Sequence, residues 1–173
     1  MSRKNALDRE LQIANRIPGR RYVILSFVCT ILLGMSSAVA AETIEGQVTG
    51  AGAPISRSTV TLWSASPNAP KQLAQTQTSD DGRFTLNTAG AASPEDILYI
   101  VAKGGQPTAH KGSGHNPAIA LLSVIGSKPP AHVTINEFTT TASVWTNAQF
   151  LDGTAIKGHP LGLKIAAGNV PNF

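Results

Sequence analysis

The sequence predicts a mainly β fold, an antiparallel sandwich covered by one or two helices. Three observations predict it: short stretches of alternating apolar and polar residues, glycine-dependent turns between them, and one helix-start pattern late in the chain.

The elements follow in order. Ile44, Gly46 and Val48 alternate with Thr43, Glu45 and Gln47, giving a first strand with one buried and one wet face. Gly50, Gly52 and Pro54 force a turn. A second strand over 59–64 sets Val60 and Leu62 on one side and Thr59, Thr61 and Trp63 on the other. Burying a large apolar side chain is worth about 1.5–3 kcal/mol, so alternation of this kind decides which face turns inward. Pro67 and Pro70 mark a loop, and the polar, weakly alternating stretch 72–78 reads as an edge strand. Asp80-Asp81-Gly82 supplies a tight turn, after which Phe84 and Leu86 return to the core, so 72–86 reads as a hairpin.

Residues 97–102, Ile-Leu-Tyr-Ile-Val-Ala, are apolar on both faces and predict a central strand covered on its outer side by something downstream. Residues 104–116 read as an exposed loop. The apolar run 118–125 fits either a buried strand or a short helix, and Asn116 as cap, Pro117 at the first helical position and Gly126 after the end favour the helix. The clearest helix covers about 134–151. Thr134 and Glu137 form a capping box, Val133 and Phe138 a hydrophobic staple, and Ile135, Phe138, Ala142, Trp145 and Gln149 fall near one stripe. This helix is expected to lie on the sheet, burying Phe138 and Trp145 against Tyr99 or Val101. Short polar turns and a tail finish the chain.

The net charge of +4 belongs to residues 1–40, which hold six basic and two acidic residues; the rest of the chain holds eight of each. A nucleic-acid surface needs its Lys and Arg on the folded domain, so that class is excluded. Residues 1–40 have the layout of a secretory signal peptide: a basic segment ending at Arg20-Arg21, an apolar run over 22–33, and small residues up to a cleavage site between Ala40 and Ala41. A retained signal anchor is the alternative and would be the only membrane contact. The twin arginine fits one export route and the strongly apolar core fits general secretion. Localisation is therefore expected to be periplasmic, cell-surface or extracellular. Cys29, the only cysteine, sits in the leader, so the exported chain has no thiol for disulfide, metal or nucleophilic chemistry.

Residues 45–63 with 80–86 carry a strand, a Gly-Ala-Pro-Ile turn, a Val-Thr-Leu strand and then Asp-Gly-Arg-Phe. This pattern resembles the carboxypeptidase regulatory-like domains of exported bacterial proteins. The resemblance implies a prealbumin-like or Ig-like sandwich over 41–103, with 104–173 as an extension of loop, helix and tail packed on it. Segments around Leu98, Asn116, Val133 and Ile165 look like the amino-terminal part of larger bacterial secreted proteins, which implies a truncated version with any catalytic part beyond Phe173. The chemistries of related domains do not carry over. There is no His-x-x-Glu pair, the chain after the leader has Tyr99 as its one tyrosine, and the first strand has no lysine for a cross-link.

Among candidate site residues, His110 and His115 flank Lys111 in the glycine-rich loop and, with His132 or His159, could offer imidazoles to zinc or copper. A mobile loop does not pre-organise ligands, so no metal or other cofactor is expected. Asp80 and Asp81 are explained by turn formation. Ser113, between Gly112 and Gly114, lacks the Gly-x-Ser-x-Gly spacing of a nucleophile elbow. Trp63 could stack on a sugar ring if exposed, and otherwise packs in the sandwich or under a helix. The expected function is a non-enzymatic exported structural or binding module, for adhesion, carbohydrate contact or domain spacing, with a cell-surface carbohydrate or protein as partner. The alternative is a metal-binding or enzymatic accessory domain using the His110/His115 loop.

Overall fold

The computed structural model describes residues 43–88, 93, 95–109 and 114–172. The leader, Cys29, the Ala40/Ala41 site, His110 and Ser113 lie outside the described residues.

Two sheets face each other. The first is built around β1 (Thr43–Gly50), which pairs antiparallel with β5 (Arg83–Asn87) and parallel with β9 (His132–Ile135). At its far end β1 turns through Ala51 and Gly52 into β2 (Ala53–Ser56), which in turn pairs with β7 (Gln106–Pro107). Ala51 and Gly52 both have positive φ (51° and 80°), as a two-residue hairpin turn demands. The second sheet runs β4 (Lys71–Gln77), β3 (Thr59–Ala65), β6 (Ile97–Lys103), β8 (Ala120–Gly126), all antiparallel. β7, β8 and β9 complete the two sheets, so the sandwich draws on chain from both sides of residue 103.

Alternation sets the core. Ile44, Val48, Ile55, Phe84, Leu86, Val133 and Ile135 from the first sheet meet Val60, Leu62, Leu98, Ile100 and Ala102 from the second in one buried cluster. β6 is buried on both faces, because its other side chains, Ile97, Tyr99 and Val101, face outward into a second cluster. That cluster includes Leu122, Val124, Ile156 and Leu163, with Trp63, Phe150 and Val170 packed against it. The cover is helix α2 (Pro160–Asn169) and the small hairpin of β10 (Leu151–Asp152) and β11 (Ala155–Ile156). Tyr99 is fixed there by a hydrogen bond, its hydroxyl oxygen accepting the Ile156 amide at 3.2 Å. The protein is thus a mainly β sandwich with a helical addition.

Three sequence expectations are corrected. First, β4 and β5 do not form a hairpin, since β4 pairs with β3 and β5 with β1 in opposite sheets. Thr78 accounts for the crossing. Its buried hydroxyl donates to the Ile55 carbonyl at 2.8 Å and accepts the Ser58 amide at 2.8 Å, stitching the end of β4 to the other sheet before the Ser79–Gly82 turn. Secondly, of the two readings of the run 118–125 the strand holds, over 120–126, and the favoured helix does not. Asn116 does cap an amide, that of Ala118 at 3.0 Å, but the cap closes only a turn, and the free side of β6 recruits the run that follows.

Thirdly, the long helix starts later and faces the other way. Helix α1 spans Glu137–Thr146; Thr134 and Ile135 belong to β9. The capping box is Asn136 with Thr139, not Thr134 with Glu137. Phe138 and Trp145 are 81% and 71% exposed, whereas Ala142, Ser143 and Asn147 are buried. The inward face is polar because α1 lies along the outer edge of β8, whose amides need acceptors. Leu122 donates to Thr140 Oγ1 at 3.0 Å and Val124 to Ser143 Oγ at 2.9 Å.

Candidate functional site

The outer face of the first sheet carries the most organised set of polar side chains. In the register of β1, β5 and β9, Glu45 pairs with Thr85 and His132, and Gln47 with Arg83 and Thr134. Between those two rows runs the row Gly46, Phe84, Val133, of which the Phe84 and Val133 side chains turn inward. A hollow of about 400 Å³ results, with these six polar side chains, among the described residues, as walls and strand backbone as floor. Strands stand about 4.8 Å apart and same-face residues on one strand roughly 7 Å apart, so the walls present donors and acceptors at fixed pitch.

Gly46 makes the floor possible. A Cβ there would collide with the Val133 carbonyl and the Phe84 ring. The walls are tied together by local bonds. His132 Nε2 lies 3.8 Å from Glu45 Oε2, and Gln47 Nε2 donates to the Asp81 carbonyl at 2.8 Å. Arg83 Nε is 3.3 Å from Asp81 Oδ2. The Ser79 hydroxyl, donating at 2.6 Å to Asp81 Oδ1, is the main cause holding the Asp81 carboxyl below its usual range, and the Arg83 amide adds to it. Asp81 is therefore an acceptor inside its own turn, which anchors the start of β5.

The other candidate residues are scattered. His115 Nδ1 accepts the Gly105 amide at 3.3 Å, and its ring lies against Gly104. Among the described residues no group of three or more His, Cys, Asp or Glu is placed to hold a metal ion, so His115, His132 and His159 form no such set. His159 caps α2, its Nδ1 accepting the Leu161 amide at 3.4 Å. Trp63 is half-buried against the outer cluster under the carboxy-terminal segment. No helix among the described residues is long and apolar enough to cross a membrane.

The alternation of the first strand puts Glu45 and Gln47 on a wet face, but no local pattern singles out Arg83, Thr85 or Thr134 as their neighbours. Thr134 reads as part of a helix cap, and nothing local in the sequence announces that β9 comes to lie parallel to β1.

No family model and no curated protein matches this chain. Among solved structures, a 9R-lipoxygenase from Cyanothece PCC8801 is similar at 13% identity and a TM-score of 0.33, over 60% of this chain. The chain spans 17% of the length of that structure, and a likeness at that level carries no argument.

Proposed function

We propose that this protein is a non-enzymatic exported binding module whose polar hollow takes a carbohydrate. The observation that carries the reading is the pair of in-register rows, Glu45, Thr85, His132 and Gln47, Arg83, Thr134, around a backbone floor on three paired strands. Hydroxyl, amide, imidazole, guanidinium and carboxylate groups at fixed spacing match the alternating donors and acceptors of a polyhydroxylated ring. Sites built on strands hold such spacing better than sites on loops. Export is supported by the layout of residues 1–40, and a role as a carboxypeptidase regulatory-like module by the turn and strand pattern of 45–86.

The test is a screen of the purified chain against neutral oligosaccharides, followed by amide chemical-shift titration. The reading expects saturable shifts at Gly46, Thr85 and Thr134, and at least tenfold weaker binding in Arg83→Ala with an unchanged melting temperature. Shifts confined to Trp63, or none with any glycan, would reject it.

A further inference from the structure

The interior between the sheets opens at the β1–β2 hairpin. Ile55, fully within the inter-sheet cluster, and Ile119 and Leu121, packed against it, line a slot of about 310 Å³ with Pro107 and Ala120. Among the described residues Glu137 is the one charged side chain on that lining. It is exposed at the first turn of α1, and its Oε1 accepts the Ala51 amide at 2.6 Å. This hydrogen bond, the largest cause, lowers its carboxyl below the ordinary glutamate range, so it stands as an anion at neutral pH. Among the described residues Glu137 enters none of the ion pairs, which join Arg83 to Asp81, Lys157 to Asp152 and Lys164 to Glu95.

The bond to Ala51 accounts for where the carboxylate sits but not for the apolar slot beside it. We propose that the slot binds a small aliphatic amine, its hydrocarbon against Ile55, Ile119 and Leu121 and its ammonium at Glu137. Charge decides among occupants. A fatty acid would set its carboxylate against Glu137, and a neutral alcohol would leave the anion without a counter-charge. The slot, of about 310 Å³, has room for a short alkyl chain. Among the described residues the slot and the polar hollow share no lining residue, so either proposal can fail without the other.

Titration of the full chain with octylamine, 1-octanol and octanoate at neutral pH, followed at the methyl signals of Ile55, Ile119 and Leu121, tests this. Octylamine is expected to shift those methyls saturably, and octanoate to leave them in place. Glu137→Gln keeps an oxygen for the Ala51 amide; it should weaken octylamine at least tenfold and leave octanol unchanged. Ala120→Trp, at an exposed lining position, should abolish both. Equal binding of amine and alcohol, an unaltered affinity in Glu137→Gln, or no saturable shift at the three methyls would overturn the proposal.

Discussion

The Val124 amide of β8 donates to Ser143 Oγ of α1 at 2.9 Å, a bond by which a helix side chain finishes the edge of a sheet. Thr140 does the same for Leu122, one helical turn earlier. Ser143→Ala would leave a buried donor without an acceptor, so it is expected to cost about 1–3 kcal/mol. Thr140→Val should cost somewhat less, at a half-buried site. Urea unfolding measures both, and faster hydrogen exchange at Val124 and Leu122 would localise the loss to this seam.

Phe138 and Trp145 point outward on the same helix, and neither supports the core. Phe138→Gln is accordingly expected to change stability by less than about 0.5 kcal/mol, the range of ordinary surface substitutions. The chain has two tryptophans, Trp63 and Trp145. Trp145→Phe should remove the quencher-accessible part of the fluorescence, leaving the shielded emission of Trp63.

Gly46 is the tightest glycine in the first sheet. Gly46→Ala must push the Phe84 ring or the β9 backbone aside, at a cost of about 1–3 kcal/mol. A thermal melt indistinguishable from the parent chain would contradict the close approach of β1 to β9.

Burial is the main reason the Tyr99 phenol is raised above its ordinary value of 10.0, and the Ile156 amide opposes that in part. An acid that is raised on folding resists giving up its proton, so its contribution is intact below pH 10 and is lost as pH climbs from there through the folded value. Tyrosinate absorbance of Tyr99 should therefore appear together with alkaline unfolding, not ahead of it. Early, reversible ionisation in folded protein would be inconsistent with that burial.

Glu137 has the opposite sign. Its lowered carboxyl stabilises the fold above the ordinary glutamate value near 4.5, and that contribution fades as pH falls through the lower folded value. Glu137→Gln should flatten the acid limb of the stability profile in that window, while a limb of unchanged slope would assign it to other carboxylates.

Much of the sandwich was legible because period-two alternation is local: Ile44 and Val48, Val60 and Leu62, Phe84 and Leu86 sit where their spacing puts them. Gly82, with φ of 76°, takes the turn its position implied. The misreadings share one cause. Pairing partners are chosen by tertiary contact, so Thr134 reads as a cap until β1 claims it, and the run 118–125, open to strand or helix with the helix favoured, becomes a strand once β6 recruits it. The threonines of α1 lowered its helix propensity without apparent reason in the sequence, yet Asn136, Thr140, Ser143 and Asn147 recur at four, three and four residues. That spacing is a polar stripe that an apolar-face search passes over. The hollow was half legible: β1 advertised its wet residues, while their neighbours came from strands no local pattern could assign.

The parallel pairing of β1 with β9 has a kinetic side. One flank of β1 is met by β5 soon after it in the chain, but the other waits for residues 132–135. A ribosome delivers the polypeptide in order, so β1 emerges with one side open to other partners until residues 132–135 have followed. Any holdase guarding nascent chains would have its longest engagement here, and a stall before residue 132 would strand a template open to pairing with other molecules.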